Sequence, residues 1–377
     1  MKCKRCGNTD KNYFYKGHKG TYCRKCIRFS RVLLEEELNS FDYEIAYGAD
    51  DYVFEYELTQ RQKEASRKCA EYAKDHDVLL HCVCGAGKTE IVVETISNYL
   101  SQKKKVAYAI SRREVVIELE KRFRGFFPHA QVTGVYGGHH DILSGDLVVC
   151  TCHQLYRYYR TFDLLILDEV DAFPLKGNET LMNISLNSCA GKIIFSTATI
   201  DKDLEKVLAR RDYKIVSLYR RPSGRNLPVP SLIYLPKIMS LFYLFYLLRK
   251  LDTQCIVFVQ SKKQAMILYR IYSLFYCCTY VYSDLKERDD NIKAFKDKKY
   301  QFIFSTTVLE RGITIKDVSI IILNYSKLFD ESNIIQMLGR VDRSIEKAKG
   351  SSYIISNHSS KAINDSMKYL QKANSSI

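Results

Sequence analysis

An apolar run at 78–83, the loop Cys84-Gly85-Ala86-Gly87-Lys88-Thr89 and the helical pattern Glu90-Ile91-Val92-Val93-Glu94-Thr95 follow one another without a spacer. A strand that enters a glycine-bearing loop and leaves as a helix must return across its own sheet. That order predicts a parallel α/β unit and excludes an all-helical or all-β fold for this half of the chain. The same loop is a phosphate cradle. Its glycines let backbone N–H groups close around phosphate oxygens at a helix N-terminus, the Lys88 ammonium neutralises β and γ phosphates, and the Thr89 hydroxyl reaches Mg²⁺. Gly85, Ala86, Gly87, Lys88 and Thr89 are therefore the candidate ATP-binding set. Cys82 stands where the usual eight-residue pattern has its first glycine, so the match is to the shorter form.

Further apolar runs repeat the alternation. Strands are expected at 105–110, 147–150, 164–167 and 192–196, and in a second series at 255–259, 279–282, 302–305, 319–323 and 352–355. Between the two series lies Arg221-Pro222-Ser223-Gly224-Arg225-Asn226-Leu227-Pro228-Val229-Pro230, whose prolines break helix and strand alike. The predicted organisation is a cysteine-rich module at 1–30, an acidic tether at 31–57, a first α/β domain at 58–220, a linker at 221–232 and a second α/β domain at 233–377.

Several motifs fall at predicted strand ends. The run Phe162-Asp163-Leu164-Leu165-Ile166-Leu167 ends in Asp168-Glu169-Val170-Asp171. Asp168 is the candidate for the Mg²⁺ shell, with Thr89, and Glu169 for orienting or deprotonating an attacking water. After the next strand, Ser196-Thr197-Ala198-Thr199 offers small hydroxyls that can hydrogen-bond to the acidic box. In the second half, Gln336-Met337-Leu338-Gly339-Arg340-Val341-Asp342-Arg343 sets two arginines three apart, on one helix face, where guanidinium groups can stabilise spreading phosphoryl charge. Upstream, Leu58-Thr59-Gln60-Arg61-Gln62 makes Gln62 a candidate adenine reader, and Thr306 to Thr314, containing Gly312, follows the strand at 302–305.

Candidate contacts to a polyanion backbone are Ser111, Arg112, Arg113, Gly138, Thr151 and Thr306, because small hydroxyls, glycine amides and arginine favour phosphate over base edges. Weak sequence preference is the expected result. The chain carries 58 Lys and Arg against 43 Asp and Glu, a formal charge of +15, which favours a polyanionic partner and salt-sensitive association.

Cys3-x-x-Cys6 and Cys23-x-x-Cys26 form two knuckles separated by sixteen residues, the spacing of a closed tetrahedral zinc site. Lys and Arg interleave there with Tyr13, Phe14, Tyr15 and Tyr22, a mixture suited to single-stranded DNA or to a docking partner. The other nine of the 13 cysteines show no ligand spacing and read as core residues. No apolar leader precedes the first knuckle, so a reducing cytosol is the expected setting. The most apolar window, Met239 to Leu251, is shorter than a spanning helix and reads as a buried helix, with peripheral membrane contact as the alternative.

Taken in order, these motifs resemble helicase superfamily 2. The cysteine module, CGAGKTE at 84–90 and DEVDAFP at 168–174 resemble, within it, the competence family ComFA. The resemblance covers nearly the whole chain and departs from the family at Asp342, where glycine is usual. It implies two RecA-like parallel-sheet domains in tandem behind a small four-cysteine zinc module. It further implies ATP, Mg²⁺ and Zn²⁺ as cofactors, single-stranded DNA and competence proteins at the inner membrane face as partners, and uptake of transforming DNA as the role. An oligomer stays open. So do three alternatives: a replication-restart helicase resembling PriA, an RNA helicase, and a zinc-anchored nucleotide switch without motor activity.

Overall fold

The computed structural model describes residues 1–46, 48, 51–310, 318–324, 329–341 and 350–375. Two compact units result, Met1–Cys82 with Gly87–Leu218, and Val83–Ala86 with Tyr219–Ile377.

The first unit begins with the hairpin β1 (Phe14–Gly17) and β2 (Gly20–Cys23). Its main sheet contains β3 (Asp77–Cys82), β4 (Val106–Ile110), β5 (Val132–Val135), β6 (Leu147–Thr151), β7 (Phe162–Asp168), β8 (Cys189–Thr197) and β9 (Tyr213–Leu218). These pair in parallel in the order β5-β6-β4-β7-β8-β3-β9. Helices α1 (Gln60–Tyr72), α2 (Lys88–Ile91), α3 (Val93–Leu100), α4 (Arg113–Phe126), α5 (Glu179–Asn187) and α6 (Lys202–Leu208) connect them. Every residue of β4 and β6 is buried, as expected for strands covered on both faces.

In the second unit β10 (Ser231–Tyr234), β11 (Gln254–Phe258), β12 (Cys278–Val281), β13 (Phe302–Ser305), β14 (Val318–Asn324) and β15 (Ser352–Ser356) form a parallel sheet in the order β10-β15-β14-β11-β13-β12. Its helices are α7 (Lys237–Lys250), α8 (Lys262–Tyr272), α9 (Arg288–Lys296), α10 (Glu331–Leu338) and α11 (Lys361–Ser375). Both units are therefore the parallel α/β sheets that the strand–loop–helix alternation predicts.

Besides the hairpin β1–β2, the structure adds three strands to the two sheets that the sequence reading predicts. β5 is four residues with a glycine, β9 alternates exposed and buried positions at the sheet edge, and β10 begins inside the segment read as a linker. That segment is also held down: Arg221 and Leu227 are buried, and Asn374 exchanges two hydrogen bonds with the Leu227 backbone, at 2.7 and 3.0 Å.

The acidic segment at 31–57 is no loose tether. Val32, Leu33 and Ile45 are buried, Asp42 pairs with Lys105, and the Phe41 and Ala46 amides donate to Thr161 and Asp146 at 3.1 and 3.0 Å. Among the described residues Asp42 and Glu57 of this stretch pair with lysines, and buried apolar side chains and amide hydrogen bonds supply the other anchors.

The apolar window also departs from expectation. Leu244, Leu247 and Leu248 of α7 are buried, but Ile238, Met239, Phe242 and Tyr246 are exposed, so α7 is a surface helix with two apolar faces. Among the described residues no helix is long and apolar enough to cross a membrane.

Candidate functional site

In a parallel sheet the carboxyl ends of all strands lie on one edge, and ligands gather there. In the first unit the strand registers bring five predicted segments to that edge. Ile110 pairs with Thr151, Ala109 with Leu167, Asp168 with Ser196, and His81 with Thr197, so 151–154, 111–113, 168–171, 196–199 and the loop after β3 follow one another along that edge.

The loop turns through Gly85 and Gly87, both in the left-handed region at φ 80° and 86°, where a side chain would strain the backbone. Gly87 caps α2, and Lys88 and Thr89 open it. A Cβ at Gly87 would lie 2.3 Å from Gln62 Nε2, the end of a side chain that could shift, so it is the left-handed φ that requires glycine. Gln62 is buried in α1 and closes a capping box. Its Oε1 accepts from the Thr59 amide at 3.0 Å while its own amide donates to Thr59 Oγ1 at 3.3 Å. The structure thus brings Gln62 to the phosphate loop, with its carbonyl engaged at the helix start.

Asp168 is buried at the end of β7 and accepts three hydrogen bonds: Ser196 Oγ at 2.7 Å, the Glu169 amide at 2.9 Å and the Tyr108 hydroxyl at 2.6 Å. Burial and then the neighbouring carboxylate push the Tyr108 phenol well above its ordinary range, so it stays protonated and donates. Thr89 is also a hydrogen-bonding neighbour of that phenol. Tyr108, which sequence reasoning did not single out, joins the hydroxyl of the phosphate loop to the acidic box. Its only signal was a polar atom in the middle of a buried strand.

Glu169 adopts φ 54°, rare for a residue with a side chain and a mark of strain retained at functional sites. Thr199 Oγ1 donates to Asp171 at 2.7 Å, and Ala198 carbonyl pairs with His81 Nε2 at 3.1 Å. The hydroxyl motif therefore touches both the acidic box and the strand that leads into the phosphate loop.

Along the same edge, Arg113 lies over the Tyr136 ring at 5.2 Å, and Tyr136 stacks on His139 across the turn containing Gly138, at φ 79°. No atom lies within 4 Å of a Cβ built at Gly138, so its backbone is open to a ligand. Ser111 Oγ is buried and has no hydrogen-bond partner among the described residues. Arg112 caps α4, and Thr151 is buried beside Ile110. His153 is covered, stacking on Phe29 of the cysteine module at 6.1 Å, and burial and then Arg28 lower its pKa.

The four cysteines converge as predicted. Their sulfurs lie within 4.8 Å of one another and are buried, with Cys3–Cys26 and Cys6–Cys23 separations of 3.8 and 3.7 Å. Zn–S bonds of about 2.3 Å in a tetrahedron place sulfurs about 3.8 Å apart, whereas a disulfide needs about 2.05 Å. The donor set fits zinc. Arg5 supports it from outside, donating to Cys26 Sγ at 3.3 Å and to the Cys26, Phe29 and Ser30 carbonyls at 2.6–2.7 Å. The module is docked on the first unit: Asn183 and Asn187 of α5 donate to the Cys6 and Arg5 carbonyls at 3.1 and 2.8 Å, and Phe29 packs on Tyr156 at 5.7 Å. Among the remaining cysteines Cys277 is exposed and Cys189 half-buried, while the others are buried; burial pushes the Cys69 and Cys82 thiols up to about 12.

In the second unit Arg340 is buried and donates from Nε to the Glu310 carbonyl at 3.0 Å. Arg221, missed in the sequence, donates to the Val341 and Gly339 carbonyls at 2.7 and 3.0 Å, holding the backbone on either side of Arg340. Thr306 stands at the carboxyl end of β13, half-buried. Gly312 and Arg343, with Asp342 and Thr314, lie outside the described residues.

Comparison with known proteins agrees with this arrangement. Residues 55–202 match the family "Type III restriction enzyme, res subunit" and residues 236–344 the "Helicase conserved C-terminal domain". The competence protein ComFA of Streptococcus pneumoniae is 30% identical over 99% of this chain and 90% of its own length, and that of Bacillus subtilis 29% identical over 99% and 85%. In fold, Saccharomyces cerevisiae Dbp5 bound to RNA and ADP BeF3 superposes with a TM-score of 0.65 over 85% of this chain and 88% of its own, at 18% identity. The chain belongs to the ComFA family of competence proteins and is an ATP-hydrolysing helicase of superfamily 2.

Proposed function

We propose that this protein is a motor that moves along single-stranded DNA and draws transforming DNA into the cell, working from the cytoplasm at the inner face of the membrane beside other competence proteins. The kinship with ComFA supports the competence role. The observation that carries the motor reading is the continuous carboxyl edge of the first sheet. There the buried Asp168, held by Tyr108 and Ser196, adjoins segments with an open glycine backbone at Gly138 and an unpartnered hydroxyl at Ser111.

In this reading the amides of Gly85, Ala86 and Gly87 bind phosphate oxygens and Lys88 neutralises them. Gln62 supports the loop from the nucleotide side. Thr89 and Asp168 would hold Mg²⁺, which would supply neutralising charge to the phosphates. Glu169 takes the proton of the attacking water, and Arg340 and Arg343 answer the charge that spreads over the transferred phosphoryl group. Ser111, Arg112, Arg113, Gly138, Thr151 and Thr306 hold the DNA backbone. The contact from Ser196 to Asp168 and from Thr199 to Asp171 supports a route by which nucleotide state reaches the edge. Cys3, Cys6, Cys23 and Cys26 hold structural zinc, closed to solvent by burial.

The test is the ATPase rate of the wild type and of Glu169→Gln with single-stranded DNA, duplex DNA and RNA across a salt series. Strong stimulation by single-stranded DNA, weakened by salt and reduced by at least about a hundredfold in the variant, is expected. Stimulation by RNA alone, or slow hydrolysis indifferent to DNA, would reject the reading.

A further inference from the structure

Helices on the outside of an α/β unit normally turn an apolar stripe to the sheet and a polar one to water. Two neighbours in the second unit do not. α7 gives Leu244, Leu247 and Leu248 to the core, and α8 gives Ala265, Leu268 and Tyr272. Their outward faces are nevertheless apolar. On α7, Ile238 is 72% and Phe242 75% exposed, and in and just after α8 Leu274 is 78% and Phe275 64% exposed. Met239, Tyr246, Ile267 and Ile271 are exposed around them. The helices lie side by side: Tyr272 and Tyr276 donate to the Leu241 and Phe245 carbonyls at 2.7 and 3.3 Å, and Phe245 meets Phe275 edge-on at 5.3 Å. The exposed side chains therefore form one surface patch, of a kind soluble monomers seldom leave uncovered.

The two helices carry charge of one sign: Lys237, Arg249 and Lys250 on α7 and Lys262, Lys263 and Arg270 on α8, with no Asp or Glu in either. Spacing puts Arg249 in line with Ile238, Phe242 and Tyr246 at i, i+3 and i+4 intervals, and puts Lys263 and Arg270 in line with Ile267 and Leu274. All three cations are exposed. Among the described residues Lys262 is the one cation of α8 in an ion pair, with the carboxylate of Asp284.

We infer that the joined outer faces of α7 and α8 dock on an anionic lipid bilayer. Ile238, Phe242, Leu274 and Phe275 would enter the boundary between headgroups and acyl chains while Arg249, Lys263 and Arg270 meet lipid phosphates. A lipid surface fits because it is flat, apolar beneath and uniformly negative, whereas a protein partner would have to supply an apolar face ringed by carboxylates alone. The inference rests on the proposal that the protein works at the inner membrane face, and it names the surface responsible.

The experiment is flotation of the full-length protein with vesicles of neutral phosphatidylcholine and with vesicles containing about one-third phosphatidylglycerol, at low and high salt. Phe242→Ser/Leu274→Ser and Lys263→Gln/Arg270→Gln are compared with wild type. Melting temperature and DNA-stimulated ATPase serve as controls of folding. Wild type should float with the anionic vesicles, and each double variant should partition about tenfold less while keeping its ATPase. No partition into anionic vesicles would overturn the inference, as would partition insensitive to headgroup charge and to both variants. A wild-type dimer in solution that Phe242→Ser/Leu274→Ser makes monomeric would assign the face to a second copy and reject lipid. Loss of the motor reading is distinguishable, because vesicle binding would then persist in a protein whose ATPase ignores DNA.

Discussion

Replacing Tyr108 by phenylalanine removes one oxygen from the interior of the first unit and should be felt at the nucleotide. Asp168 accepts from three donors, and the phenol at 2.6 Å is the one on Oδ2. A hydrogen bond to a charged acceptor contributes about 1.5–3 kcal/mol, and the buried carboxylate cannot recover it from water. At about 2–4 °C per kcal/mol for a domain of this size, melting should fall by roughly 3–12 °C. Because the phenol also fixes the direction of the carboxylate proposed to hold Mg²⁺, the midpoint of the Mg²⁺ dependence of ATP hydrolysis should rise by about 10–100-fold. Direct Mn²⁺ binding to the ATP complex, followed by electron paramagnetic resonance, should weaken in parallel, a readout that simple loss of stability would leave alone. Ser196→Ala removes the donor on the other oxygen, so the two changes share a partner and their combined effect should depart from additivity by about 0.5–3 kcal/mol. A Tyr108→Phe protein with unchanged melting and a Mg²⁺ midpoint within about twofold of wild type would refute the reasoning.

Phe29→Ala should keep its zinc, measured by release to a chromogenic chelator, yet weaken single-stranded DNA binding, because Phe29 is what His153 and Tyr156 pack upon beside Thr151. Chelation or Cys23→Ser should unfold the module and raise hydrogen exchange at Cys152–Arg157 while leaving exchange at 82–89 and ATP binding largely intact; unchanged exchange at Cys152–Arg157 would contradict the packing. Acid should destabilise the first unit through its half-buried histidines His81 and His153. Burial lowers the pKa of His81 and His153, so below about pH 6.5 the unfolded chain binds protons that the folded one refuses, and stability falls as pH falls through that range. His81→Gln should flatten that fall in a thermal-melting series between about pH 7 and 5.

Much of this was legible in the sequence because it is written in local order. Buried parallel strands read as continuous apolar runs, so β3, β4, β6, β7, β13 and β14 stand out, and the residues that follow them are automatically neighbours at one edge. The knuckle spacing needed no fold at all. What stayed hidden depends on contacts distant in sequence. β5, β9 and β10 are short or half-exposed edge strands, whose weak patterns gain meaning only from a paired neighbour. Arg221 sits in a proline-rich stretch that looks like a linker, and only the fold reveals the carbonyls of Gly339 and Val341 that it holds.

The acidic segment and α7 mislead in opposite directions, and for one reason. Composition reports how polar a segment is but not what lies opposite it. Nine carboxylates at 31–57 suggest a solvated tether, yet its described residues fold down because Lys105 and the side chains of Thr161 and Asp146 face them. The apolar window suggests burial, yet half of α7 is exposed, since one helix face exhausts what the sheet can cover. The same reasoning bears on the cysteine module. Read alone, it is an independent metal domain with aromatic and basic residues free to bind DNA. In the structure its four clustered cysteines, Phe29 and Val32 belong to one apolar core with Cys152, Leu155 and Tyr158. A metal held by those cysteines would therefore stabilise more than the module: through Arg5, Cys26 and Phe29 it would fix the wall against which the segment after β6 is packed, and with it the position of Thr151 at the edge where the DNA backbone is proposed to lie.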